Sequence, residues 1–364
     1  MMSDPLGWCW YCFTPLVGAI IDTPEALMYA GVSKNASPVT MAMYTQFDDA
    51  FCHKPRTAST TIAQLIEIKT TSDPWDFTSY LPKAKQFRLN GVHRPFWRDW
   101  PLAEPSLFLT PEPLHHWHRM FWDHNAKWCI HAVGSTEIDF RFSILQPHVG
   151  FRHSAEGISS LKQVTGREHC DVQQYIVGVI AGAVPRGFLI AIRSAMDFRY
   201  RCQATELDDE DCDNILAALQ EFHQHKSTIM DACAWVGKNN RPIENWHIPK
   251  LELLQSVIPN IRANGAAIQF SADITEHTHI TEIKNPARAG NNWQYEAQIC
   301  RDLDRTDKMC CFDLAIAIQD PGDLIPSDHN TDDQSSQIVS DISADGMDEV
   351  PASILLAQLV QGSL

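Results

Sequence analysis

The sequence predicts an α/β protein, with a long helical stretch behind its strands and a disordered acidic tail. Three observations carry that expectation. Residues 9–22 cluster apolar groups and stop at Asp22-Thr23-Pro24, a strand followed by a turn. Residues 137–145, EIDFRFSIL, set Ile138, Phe140, Phe142 and Ile144 on alternate positions, as a half-buried strand does. Between 168 and 263 the apolar spacing becomes helical, and beyond Gln319 it dissolves into QDPGDLIPSDHNTDDQSSQ.

Taken in order, the elements have local reasons. Residues 57–69 space Ile62, Leu65 and Ile66 as a helix would, and 75–90 suggest another. Helices are expected at 168–182, 186–204 and 209–236. Pro185 separates the first two, and Asp208 with Asp211 opens the third. A fourth covers 248–263 and stops at Gly265, and a fifth runs from Asp273 to Lys284 before Pro286. The tail after Gln319 carries too little periodic apolar content to offset its ordering entropy. It should be cut rapidly by protease without loss of the body, with a short helix at 352–360 as its one element.

Composition narrows the function classes. The chain has 364 residues, net charge −16 and 44% hydrophobic content, enough for a large core. From Met309 onward there are ten acidic residues and no Lys or Arg, which leaves −6 on the rest. Such a body does not hold DNA over its whole surface, so any nucleic-acid contact belongs to a local patch. No apolar run approaches the ~18–20 residues that span a bilayer. The start lacks a basic region ahead of its apolar patch, so a nuclear or cytoplasmic protein is expected, neither membrane-bound nor secreted. Eleven scattered cysteines argue against a disulfide framework. Cys9-Trp10-Tyr11-Cys12 has no matching second pair, so zinc is not expected.

The densest chemistry lies between Phe87 and Cys129, which holds five of the eleven tryptophans and five histidines. Lys83, Lys85, Arg88, Arg94 and Arg98 interleave with Phe87, Phe96, Trp97 and Trp100. Forked cations for phosphate and rings for bases make this the candidate DNA surface. The bland reading buries Trp97 and Trp100 in a core and pairs Arg94 and Arg98 with Asp99 and Glu104. His115 and His118, three apart, would share a helix face, but no Cys or second pair completes a tetrahedral set.

The stretches CHKPRTASTTIAQL, FRLNGVHRPFWRDW, FLTPEPLHHWHRMFWDH, EGISSLKQVTGREH, NWHIPKLELLQSVIPNIRANG and DITEHTHITEIK resemble the Plavaka-type transposases of basidiomycete fungi, in the Kyakuja–Dileera–Zisupton group. The likeness covers roughly residues 5–315 and reads as a C-terminal portion of such a transposase. It implies an RNase H-like core with a large all-helical insertion. The core would begin at 1–145, the insertion would be 146–265, the core would resume at 266–318, and 319–364 would be the tail. It also implies three carboxylates around two Mg²⁺ or Mn²⁺ ions that cut and join DNA strands. By resemblance these are Asp22, Glu112 and Glu276, with His115 and His279 as supporting groups and Lys85, Arg88, Arg94, Trp97 and Arg98 on DNA. The partner implied is DNA, as transposon ends or target, with a homo-oligomer allowed.

Each carboxylate has a dull alternative. Asp22 with Glu25, and Asp273 with Glu276, spell capping boxes, and Thr110-Pro111-Glu112 spells a helix start with Thr110 as its cap. Many relatives of the wider group carry Asp followed by Leu-His where Glu112 stands, and Cys52, Cys170, Cys202 and Cys310 depart from the family pattern. The competing class is a catalytically dead remnant or a domesticated DNA- or protein-binding protein. A third is an unrelated helical scaffold.

Overall fold

The computed structural model of the chain describes residues 2–3, 5–12, 15–146, 153–161, 166–291 and 293–319. Helices dominate it. Among the described residues the sheet is one antiparallel ribbon, β1 (Met2–Ser3) against β2 (Cys9–Trp10). Both residues of β2 are exposed, and it covers only the first two positions of the apolar strand that the sequence predicts over 9–22. The rest of that segment is extended and pinned singly. Leu16 forms a parallel bridge with Ala103, and the Ala19 N–H donates to Phe108 O at 2.7 Å. At Gly18 an added Cβ would fall 2.8 Å from the Phe270 ring. A chain held by isolated bonds against loops does not propagate a sheet, and the described residues contain no RNase H-like sheet.

The second expected strand is a helix. Residues Ser135–Ser143 follow Gly134, whose φ of 89° is open to glycine. Ile138 and Phe142, four apart, are buried, while Phe140 and Ile144 face out at 58% and 63% exposure. Glu137 and Arg141 pair at the same spacing, 2.7 Å apart. The alternation that suggests a strand thus hides a helical pair.

Numbered in chain order, the helices of the first unit (Met1–Asp273) are α1 (Thr23–Ala30), α2 (Ala58–Thr71), α3 (Phe77–Gln86), α4 (Pro105–Phe108), α5 (Lys127–Val133), α6 (Ser135–Ser143), α7 (Gly166–Ile180), α8 (Arg186–Arg201), α9 (Asp209–His225), α10 (Ser227–Asp231), α11 (Pro249–Leu254) and α12 (Val257–Asn264). Their starts follow the local signals. Thr57 accepts the Thr60 N–H, Asp76 accepts the Thr78 N–H, and Asp208 and Asp211 cap each other's N–H groups. The single helix expected over 209–236 is α9 followed by α10, and that over 248–263 is α11 followed by α12.

Two hydrophobic cores fill this unit. One gathers α1, α2 and α3 around Ala30, Leu65, Ile68, Tyr80 and Trp97. The other gathers α5–α9 around Trp117, Phe121, Trp128, Ile192 and Phe222. Trp128 stands edge-on to both Trp235 and Trp246, at 5.8 and 5.4 Å, and the latter two stack at 6.1 Å. Much of the tryptophan-rich sequence is therefore core. Helix α11 lies between, giving Leu253 to the first core and Leu251 and Leu254 to the second.

The second unit begins at Ile274. It takes in α13 (Asp273–Thr278), whose first residue closes the first unit, a π-helical turn His279–Lys284, α14 (Asn285–Ala289) and α15 (Tyr295–Gln319). Pro286 sits in the first turn of α14, where it needs no N–H partner, so helical structure does not stop before it. The expected tail and its terminal helix lie outside the described residues. None of the described helices is long and apolar enough to cross a membrane.

Candidate functional site

Asp22 precedes α1 in extended conformation, and its Oδ1 accepts the Glu25 N–H at 2.9 Å. That is half of the expected capping box. Glu25 instead reaches forward to Tyr29, whose hydroxyl its charge and hydrogen bond push up.

Glu112 is wholly buried, at 0% exposure. It is itself the cap of the π-helical turn Pro113–His118, two residues later than the Thr110 cap that the sequence suggests. Oε1 accepts from the His115 backbone N–H and from His115 Nδ1 at 2.7 Å. Oε2 accepts the Leu114 N–H at 2.9 Å and the Ala272 N–H at 3.1 Å. A carboxylate has about four lone-pair sites, so these four donors fill them. Burial alone would raise this carboxyl; the bonds from His115 and Ala272 outweigh it and hold it below its usual value.

The neighbouring histidines serve the same network. His116 is buried, with Nδ1 3.1 Å from Glu112 O, and burial pushes its imidazole down to about 4. His118 Nδ1 accepts from Arg199 Nη2 at 2.7 Å. Burial and then the Arg199 charge push His118 down to about 3, which keeps it neutral and able to accept. Burial pulls Lys250, at the start of α11, below its usual value, while Asp123, Glu112 and Asp22 all favour its charge. Its Nζ lies 3.8 Å from Asp123 Oδ2. One ammonium thus joins Asp22 and Glu112 electrostatically.

A pair of divalent ions held by Asp22 and Glu112 does not fit this arrangement. Glu112 has no lone pair to give, and the positive charge of Lys250 already acts on both carboxylates. Among the described residues no three His, Cys, Asp or Glu side chains group as a metal site. Glu276 and His279 are exposed residues of the second unit, Glu276 on α13 and His279 opening the π-helical turn. The expected trio is therefore a pair in one unit and a single carboxylate in the other.

The expected DNA surface divides. Trp97 is core, at 1% exposure, and its indole N–H donates to Tyr29 O at 2.8 Å, so it offers no stacking face. Phe96 and Trp100 on either side are exposed. Arg94 and Lys85 are exposed, and Arg98 pairs with its neighbour Asp99 through Nε at 2.8 Å, as the bland reading expects. Arg88 turns back, with φ 59°, and bears electrostatically on the buried Arg56. Sequence reading missed Lys69 and His93. Lys69 Nζ donates to His93 O at 2.9 Å, and burial, then Arg98 and Arg94, pull the ammonium down. Three cations from α2 and the 94–98 turn thus share one surface, a convergence that only the packing of α2 on that turn creates.

None of the curated proteins or solved structures compared with the chain matches it. The downstream stretches EGISSLKQVTGREH, NWHIPKLELLQSVIPNIRANG and DITEHTHITEIK lie outside the family match that the chain does make. Residues 1–129, which contain Asp22, Glu112 and the whole cationic surface, match the Plavaka transposase family, and over that stretch the chain is similar to Plavaka transposases.

Proposed function

We propose that the chain is a transposase-derived protein that binds DNA through Lys69, Lys85, Arg94 and Arg98. The observation that carries this reading is that all four cations lie inside the stretch matching the transposase family. The body is otherwise acidic, so binding is local, weak and salt-sensitive. The rival reading is metal-dependent strand cleavage by Asp22, Glu112 and Glu276 in an RNase H-like core. The filled lone pairs of Glu112 and the Lys250 charge speak for binding without cleavage.

Anisotropy titrations with duplex DNA over a range of salt test the first reading. Four phosphate contacts give a slope of log affinity against log salt of about −3 to −4. Arg94→Ala with Arg98→Ala should shrink that slope by up to about two contacts' worth. An unchanged slope in the folded double variant removes this surface. A plasmid-nicking assay with Mg²⁺ or Mn²⁺ tests the rival. Nicking that disappears in Asp22→Ala would establish cleavage and overturn the binding-only reading.

A further inference from the structure

We infer that Trp75, His93, Lys69, Arg94 and Arg98 form a site for single-stranded nucleic acid, in which Trp75 stacks an unpaired base and the cations hold the flanking phosphates. The inference rests on the nucleic-acid-binding reading above and adds to it a strand preference and a stacking residue.

Trp75 occupies the link between α2 and α3. Its backbone N–H donates to Asp73 Oδ1 at 3.0 Å, and Asp76 one position on caps α3. The link is thus pinned on both sides of the ring it presents. The indole is 72% exposed. It meets the His93 ring edge-to-face, centroids 5.1 Å apart at 72°, an arrangement that leaves an indole face open. His93 is in turn anchored edge-on to the buried Tyr80 ring, 6.3 Å away.

His93 is also where the cations meet. Its carbonyl accepts from Lys69 Nζ. Its imidazole is pulled down by burial and then by Lys69, Arg94 and Arg98, with only Asp73 acting the other way. Asp99 is engaged by Arg98 and also feels the exposed Arg94 electrostatically. At the His93 ring three cations meet one acid, Asp73, while Asp76 is taken up in capping α3 and Asp99 in pairing with Arg98, so the surface attracts an anion, and the open ring beside it fits a nucleotide better than a bare phosphate.

The strand preference follows from access. Bases in a duplex are stacked on both faces, and a single ring projecting from a turn cannot reach them. An unpaired base can lie on the indole while its phosphates reach the cations. The shared chemistry is a base and its backbone, so DNA and RNA are separate arms of the test.

The probes are fluorescein-labelled ten-residue oligo-dT, ten-residue oligo-U and a duplex of equal length, titrated with the full chain. Trp75→Ala should weaken binding of a single strand about 5- to 100-fold while leaving the duplex within about twofold. Trp75→Phe, which keeps a ring, should retain most of the affinity. Arg94→Ala with Arg98→Ala should weaken all three probes. Loss on oligo-dT assigns the site to DNA, and loss on oligo-U alone assigns it to RNA. Equal single-strand affinity in wild type and Trp75→Ala, or an equal loss on single strand and duplex, overturns the site while the binding reading stands. No binding of any probe by the wild type overturns both.

Discussion

Two buried glutamates, Glu112 and Glu252, are driven in opposite directions by their surroundings. Glu112 has donors enough to outweigh burial and stays below its usual value. Glu252 has the Thr40 hydroxyl on Oε1, but burial outweighs Thr40 and Ser37 and raises it. The histidines add a larger effect of one sign. Burial pushes His116, His124, His169 and His223 down to about 4 and His118 to about 3. A histidine depressed in the fold is neutral there and protonated in the unfolded chain below its ordinary value of 6.5. Its contribution is fully present above pH 6.5 and is lost as pH falls toward 4. Unfolding near pH 5 should therefore take up about five protons, set against the smaller opposite contribution of Glu252. Thermal midpoints measured between pH 7.5 and 4.5 should fall steeply below pH 6.5, and a flat profile from 7 to 5 would contradict the buried neutral imidazoles. None of this was legible in the sequence, where the histidines of 115–124 read as ligands or helix-face groups. Their burial depends on α7 and α11, which pack on residues 113–126, and on Arg199 of α8, all of which arrive from far along the chain. Lys250 is the same case, since its link to Asp22 and Glu112 exists only through the fold.

Helix α6 is the element on which the sequence misled most, and it can be tested. In a half-buried strand Ile138 and Phe140 would share one face; in the helix Ile138 is 0% exposed and Phe140 58%. Ile138→Ala should cost about 2–5 kcal/mol and Phe140→Ala under about 1 kcal/mol. Comparable losses from urea titrations of the two variants would favour the strand. The reason for the misreading is arithmetic. EIDFRFSIL satisfies both a period of two and an i, i+4 pair, and only the neighbouring α7, against which α6 packs, decides between them. Helices α2, α3, α7, α8 and α9 were legible because their signals are local: a Thr or Asp cap, a proline at the boundary, an apolar stripe. The expected sheet was not. Residues 15–22 have the apolar content of a strand, but a strand needs a partner, and here the partners are single bonds from 103–108. The start at Thr110-Pro111-Glu112-Pro113 was legible as a helix end, yet two residues early, because Pro113 suits the first helical position as well as Pro111 does.

At the scale of the whole molecule, the described residues from Met2 to Asp273 are knit by bonds of long reach. Lys226 donates to Asp48 O at 2.6 Å, Thr40 to Glu252, and Asn260 to Leu107 O at 3.3 Å. Helix α11 belongs to both cores at once, so loosening one strips cover from the other. The family match ends at Cys129, inside the second core, which is completed by segments beyond it. The stretch most similar to transposases therefore leans on residues outside the match for its own packing. The bond from Ala272 to Glu112 spans 160 positions. It gives the molecule a direction in time. The loop it closes holds α5 to α12, so this bond is expected to form late, after the segments between have collapsed. On that expectation Glu112 is a latch that shuts after the folding barrier has been crossed. Glu112→Gln, which weakens about 2 kcal/mol of charge-assisted bonding, should speed unfolding about 30-fold and leave the folding rate nearly as it was. Stopped-flow measurements on both arms decide it: a slowed folding arm would place the latch before the barrier, whereas a changed unfolding arm alone makes Glu112 a determinant of how long the native state lasts.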